Sequence, residues 1–331
     1  MIIHPSQEPL SATVLKMIKV PLTQSICIEK EYPPDTFKKA ENLALTFKLD
    51  SLEYALSTPI SLPYDPKFQD TDYHNIGCSE VCRSVGPGPS PLLKANSSLL
   101  ACANRKKLAK ANNNLRMWAP LIRPSTFGRL LFADHVIRHL TRSLYFMLED
   151  AYKPIEYYYH IWPNARAYWT RKAKGDAEEG ERLAKKRVPD PTGFDKYEPA
   201  TWTRNTPPCS TGGAADLVLM DRYRSLKYKE REVGLSIKGH SGGDDQDSMD
   251  FFEKLAASGV PLTEAEKECL VLRRLVYRVM TGIGFEVDPY DCGAWHYGTQ
   301  LWALERMRRG EPPKKALYGY VWRPTPRQKM R

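Results

Sequence analysis

The sequence predicts a mainly α-helical protein, irregular in plan, with long extended Pro-rich connectors, an extended basic C-terminal tail and at most minor β structure. Two observations carry the helical reading. Apolar residues recur at helical spacing in several separate segments, and nothing shows the β–α alternation that builds a doubly wound sheet. The third observation is that prolines gather in two stretches between those segments, where a chain is extended and lacks a core face of its own. No internal repeat is present.

Residues Met1 to Pro34 read as irregular, with one strand at Gln24 to Glu29. After Pro33 and Pro34, Phe37, Ala40, Leu43, Ala44 and Phe47 recur at helical spacing, and Asp50 with Glu53 suggests a capping box for a second short helix. Thr58 to Pro91 carries six prolines and reads as a long connector. Ser90 as N-cap and Pro91 at the first helical position predict a basic helix to about Ala111, closed by Asn112 to Asn114. The strongest helix is expected from Phe127 to Tyr152, where Leu130, Ala133, Ile137, Leu140, Leu144 and Leu148 fall within roughly 40° of one line. An aromatic stretch follows from Lys153, broken by Pro163, and then a charged helix to about Arg187 with Gly175 and Gly180 inside it.

The second Pro-rich connector is Val188 to Gly213. Beyond it the sequence predicts a charged helix from Ala214 to about Glu232, a short strand over Val233 to Lys238, and a helix over Asp247 to Ala257. Thr263 with Glu266 forms a capping box ahead of Leu270, Leu272, Leu275 and Val276, and Gly282 and Gly284 close that helix. A last helix is expected from Gly293 to Arg309, stopped by Gly310, Pro312 and Pro313. The regions are therefore an N-terminal arm with connector (1–89), a helical region with a basic helix and an aromatic cluster (90–188), a Pro-rich linker (189–213), a C-terminal helical region (214–310) and the extended basic tail (311–331).

Charge is strongly segregated. Val81 to Ala133 holds nine Lys or Arg and no acid, and Arg306 to Arg331 holds nine against the single acid Glu311; with a chain total of +10, everything else is net negative. Two such segments are suited to something anionic. The residues expected to meet it are Arg105, Lys106, Lys107 and Lys110 on the basic helix and Lys314, Lys315, Arg323, Arg327, Lys329 and Arg331 in the tail. In the tail these alternate with Tyr318, Tyr320 and Trp322, a pattern suited to RNA, anionic lipid headgroups or an acidic protein groove. Tyr157, Tyr158, Tyr159, Trp162 and Trp169 are expected to be further protein-interface anchors, with Trp295 to Trp302 a third group.

Seven irregularly spaced cysteines fit reduced, mostly buried thiols better than a disulfide framework. No run approaches the ~18 to 20 apolar residues of a spanning helix, and Met1 to Val20 lacks the apolar block of a secretory signal. The expectation is a soluble or peripheral protein of a reducing compartment.

Motifs with catalytic or metal-binding resemblance are weak. Gly239-His240-Ser241-Gly242-Gly243 satisfies G-x-S-x-G, and Asp288 or Asp291 with His296 could complete a triad. Yet Asp244, Asp245 and Asp247 follow where a nucleophile elbow needs a closely packed helix, so a serine hydrolase using Ser241 is a remote alternative. His135 and His139 lie one turn apart beside the cations Arg138 and Arg142, and His74, Cys78 and Cys82 lack a clear fourth ligand; no metal site and no cofactor is expected.

The leading expectation is a non-catalytic accessory subunit of a large multiprotein assembly, with other subunits as partners and no small-molecule substrate. The preferred setting is the periphery of a mitochondrial respiratory complex or ATP synthase. The alternative is a mitoribosomal protein contacting rRNA through its basic segments.

Overall fold

The computed structural model describes residues 26–30, 45–49, 59–60, 87–91, 93–94, 101–102, 121–141, 143–151, 153, 155–185, 188, 190–191, 208–221, 231–232, 248–289, 291–312 and 318–320. In chain order its elements are β1 (Ile26–Lys30), β2 (Leu45–Leu49), β3 (Pro87–Pro91), β4 (Leu93–Lys94), β5 (Ala101–Cys102), β6 (Leu121–Ile122), α1 (Pro124–Leu140) and β7 (Leu144–Asp150). There follow α2 (Ile155–Lys172), α3 (Ala177–Lys185), a 3₁₀ turn at Pro208–Thr211, β8 (Ala214–Asp221), β9 (Arg231–Glu232), α4 (Phe251–Ala257) and α5 (Glu264–Gly282). The last are β10 (Glu286–Asp288), β11 (Asp291–His296), α6 (Gln300–Arg308) and β12 (Tyr318–Tyr320).

The expectation of a mainly α protein with at most minor β structure is overturned. The core is built on a sheet of order β10-β11-β8-β7-β5, with β9 added to the end of β8. Every pairing in it is antiparallel except that of β5 with β7. The register sets Phe146 opposite Leu219, Leu148 opposite Leu217 and Trp295 opposite Ala215. These side chains share one face, and with Leu144 and Val287 they join Phe127, Leu130, Ala133, Val136, Ile137 and Leu140 of α1 and Leu272, Leu275, Val276 and Val279 of α5 in one core. Strands 144–150 and 214–221, from either side of the 189–213 linker, are neighbours, so the flanking regions share that core.

The physical reason for the error is a coincidence of periods. Leu140, Leu144 and Leu148 are four apart, which suits a helix, but a spacing of four is also two strand repeats. The chain leaves the helix at Thr141, whose hydroxyl and backbone N–H both bond to the Ile137 carbonyl. From Leu144 the inward residues then alternate as Leu144, Phe146 and Leu148. Phe146, which the helical stripe leaves out, is fully buried. Its N–H donates to Asp134 of α1 at 2.8 Å, tying helix to strand. Over Ala214–Asp221 the apolar run is a buried strand rather than a charged helix. Over Gly293 to Arg309 the chain is β11 and then α6, divided at the turn around Gly298 (φ 66°).

Shorter segments differ as well. The helical spacing around Phe47 falls in β2, which pairs antiparallel with β1, and the expected basic helix from Ser90 begins as β3 and β4, with β5 further along. Tyr318–Tyr320 of the tail pairs parallel with Pro87–Pro91, so this part of the tail rests on its own chain. The Thr263 capping box is present as expected: Thr263 Oγ1 accepts from Glu266 N–H, and the Glu266 carboxylate accepts from Thr263 N–H at 2.7 Å.

Candidate interaction surface

Helices α2 and α3 form an antiparallel hairpin that, among the described elements, packs chiefly on itself. Its turn is set by the sequence Lys174-Gly175-Asp176. Lys174 (φ 56°) and Gly175 (φ 94°) both adopt the left-handed backbone that ends a helix. The Asp176 carboxylate then accepts the N–H groups of Glu178 and Glu179, both at 3.0 Å, capping α3. A continuous charged helix was expected here; Gly175 instead divides it in two. Gly180 lies against the backbone of Thr170, and Ala184 is fully buried. Across the pair run the ion pairs Arg166–Glu181 (3.7 Å) and, within α3, Arg182–Glu179 (2.6 Å) and Lys185–Glu181 (3.1 Å).

A polar cluster bolts the base of this hairpin to the sheet. Lys153, just before α2, reaches Asp216 of β8 at 2.6 Å and Asp150 of β7 at 3.6 Å. Its backbone N–H donates to the Cys209 carbonyl at 3.1 Å, and its own carbonyl accepts from the Ser210 hydroxyl at 2.5 Å. Tyr158, in the first turn of α2, is buried and packs with Tyr157, Tyr159, Ile161, Val188 and Cys209. Burial opposes the charge on Lys153, yet Asp216 and Asp150 hold its ammonium well above the ordinary lysine range. Burial pushes the Cys209 thiol up to about 12, against the pull of Lys153, and pushes the Tyr158 phenol well above its usual range. A protonated thiol is a poor nucleophile and an ion-paired ammonium a poor base, so this arrangement is suited to fastening rather than to proton or acyl transfer.

The far half of the hairpin faces solvent. His160, Asn164, Ala167 and Arg171 lie along one exposed line of α2, with Tyr168 and Lys172 beside it. Tyr168 is 46% exposed, one of only two large hydrophobic residues so exposed among the described residues. Its ring stands edge-on to Trp169 (5.2 Å) and lies 5.8 Å from Lys172 Nζ. Arg171, Lys172 and Lys174 form no ion pair with any described residue.

Of the aromatic residues singled out in the sequence, Tyr158 and Trp162 are buried in the protein's own packing, and Tyr157, Tyr159 and Trp169 are half-buried. Trp295 is a fully buried core residue, and half-buried Trp302 donates to the Gly284 carbonyl at 2.7 Å. Tyr318 and Tyr320 lie on β12. Arg105, Lys106, Lys107, Lys110, Lys314, Lys315, Trp322, Arg323, Arg327, Lys329 and Arg331 lie outside the described residues, as do His74, Cys78, Cys82 and Ser241.

Two cations of the acid-free stretch are turned inward. Arg123 is buried, donates to the Tyr297 carbonyl, and occupies space that a side chain at Gly213 or Gly298 would need. Arg129 lies 4.1 Å from the Tyr297 ring and donates to the Ile283 carbonyl at 2.7 Å. These two join α1 to the chain around α6 and are unsuited, where they stand, to an external anion.

Sequence reasoning missed Arg171, Lys172 and Lys174. The signal was present: 157–175 holds four cations and no acid, but it is shorter and less basic than the two segments that drew attention.

His296 and Asp288 are both buried, with Nε2 and Oδ2 3.9 Å apart and His296 Nδ1 3.3 Å from Thr299 Oγ1; Asp291 is exposed and accepts from Gly293 N–H. Among the described residues no group of three or more His, Cys, Asp or Glu side chains is placed to hold a metal ion. No helix among them is long and apolar enough to cross a membrane. No protein family and no curated protein matches the chain.

Proposed function

We propose that this chain is a non-catalytic structural subunit of a large assembly, and that the α2–α3 hairpin is its docking element. The observation that carries the reading is the contrast between the two ends of that hairpin. Its base is fastened by the Lys153–Asp216 pair and buried Tyr158, while its far half offers Tyr168 and three exposed cations that pair with no acid among the described residues. A rigid base with a solvated, aromatic-basic tip is a form suited to engaging another molecule at low entropic cost.

The periphery of a mitochondrial respiratory complex or ATP synthase is one setting, in keeping with the basic charge. The mitochondrial ribosome is the second, and the exposed cations of the tip favour it, because phosphate is the partner they suit best. Isolation of the native particle from fractionated cells, with mass spectrometry of the co-migrating components, tests the reading. A photo-crosslinking amino acid at position 168 is expected to capture a defined component of that particle. A chain that sediments alone and crosslinks to nothing overturns it.

A further inference from the structure

We infer that the far half of α2 is a contact surface for the phosphate backbone of structured RNA. This inference rests on the subunit reading and names the chemistry of its docking element.

The first argument is charge that is left available. Elsewhere in the hairpin, cations have partners: Arg166 and Lys185 with Glu181 and Arg182 with Glu179; on other helices so do Lys254 with Asp250 and Lys267 with Glu264. At the tip, Arg171, Lys172 and Lys174 are exposed and form no ion pair with any described residue. The two acids nearest in sequence form no ion pair with them: Asp176 Oδ1 accepts two backbone N–H groups and Glu178 stands in the first turn of α3, where negative charge suits the helix end.

The second argument is the kind of surface. The exposed line runs His160, Asn164, Ala167, Arg171, and Asn164 to Arg171 spans about 10 Å along the helix. It offers hydrogen-bond donors two turns apart with one aromatic ring, Tyr168, able to stack on a base. A protein interface needs apolar anchors at its centre and is depleted in Lys there, and among the described residues this face has one large apolar side chain, Tyr168, beside the small Pro163 and Ala167. A helix that lies on a membrane inserts a continuous apolar face, which is absent from this exposed line. Donors, cations and one ring, without an apolar centre, fit a nucleic-acid backbone.

The test uses the full-length chain and a fluorescently labelled RNA hairpin, with binding followed by anisotropy over a series of KCl concentrations. The triple variant Arg171→Gln, Lys172→Gln, Lys174→Gln is compared with wild type and with Lys254→Gln, a cation exposed elsewhere. The triple variant is expected to bind at least roughly tenfold more weakly and to lose about 2 to 3 from the slope of log K against log salt, as expected for the loss of three phosphate contacts. Lys254→Gln is expected to change neither. Because the three substituted cations make no ion pair with any described residue, and Lys172 only the ring contact with Tyr168, thermal unfolding should change little, which separates lost binding from lost folding. Absence of RNA binding by the wild type, or an unaltered salt slope in the triple variant, overturns the inference. So does binding that is lost only for phosphatidylserine vesicles, which would assign the face to a membrane. A native particle made of protein alone would sink the inference and leave the subunit reading standing; RNA binding by a chain that belongs to no particle would do the reverse.

Discussion

Gly180 and Thr170 touch backbone to backbone. A Cβ built on Gly180 would lie 2.4 Å from both Cα and Oγ1 of Thr170. Helices α2 and α3 therefore approach as closely as they do because one position has no side chain, and the direction of the tip follows from that approach.

Gly180→Ala is expected to destabilise the protein. The substitution gains roughly 1 kcal/mol of helix propensity, but the atoms met at 2.4 Å include backbone, which cannot swing aside. Overpacking of this kind costs about 1–3 kcal/mol, so the net change in urea unfolding is a loss. An unchanged or raised midpoint would mean that the helices separate without penalty.

Lys153 stands between two carboxylates of adjacent strands, since Asp150 is opposite Asp216 in the register. Lys153→Met leaves those acids facing each other without a cation. The expected loss is about 3 kcal/mol, toward the low end for a buried pair because all three side chains keep some solvent contact. The double variant Lys153→Met, Asp216→Leu is expected to regain part of it, and denaturant unfolding of the single and double variants measures the coupling.

Cys209 is held protonated, with burial pushing its thiol up to about 12. At pH near 8 its thiolate population is then lower than that of an ordinary cysteine by a factor of about a thousand. Iodoacetamide labelling, followed by peptide mass spectrometry, is expected to be slow at Cys209 in the native protein and fast after denaturation. Equal rates in the two states would show that the base of the hairpin is open.

Glu286 on β10 is 1% exposed and lies 2.7 Å from Arg309 and 3.7 Å from Arg306. Burial pushes its carboxyl up to about 7 from 4.5, against the pull of both guanidiniums and with the added push of Glu305 and Glu311. The folded protein thus holds this proton more tightly than the unfolded chain does. The contribution is fully present below about 4.5 and is lost as pH rises through about 7. The stability of wild type relative to Glu286→Gln is expected to fall by on the order of 3 kcal/mol over that range. A relative stability that rises with pH would make the arginine pairs, not burial, the dominant influence.

Much of the helical part was legible. The Thr263–Glu266 capping box marks the start of α5, and the stripe Leu130, Ala133, Ile137 and Leu140 the buried face of α1, although α1 begins at Pro124 rather than at the expected Phe127. These signals are local, since caps and 3.6-residue periodicity act within a few turns. The sheet was not legible, because Leu144 and Leu148 satisfy two periods at once and, in Ala214–Asp221, Ala214, Val218 and Met220 on the opposite face hide the alternation of Ala215, Leu217 and Leu219. Choosing strand over helix there depended chiefly on the pairing of β7 with β8, more than sixty residues apart in the chain.

The candidate site divides in the same way. The sequence by itself determined that charge is segregated and that aromatics cluster after Lys153, because each is a property of neighbours along the chain. Only the tertiary structure decided that Arg123 and Arg129 are internal, that Tyr158 and Trp162 are packed away, and that Arg171, Lys172 and Lys174 stand exposed with no ion pair among the described residues. A charge is available to a partner or consumed at home according to what folding brings beside it, and that is settled by pairing across the sheet rather than by position in the chain.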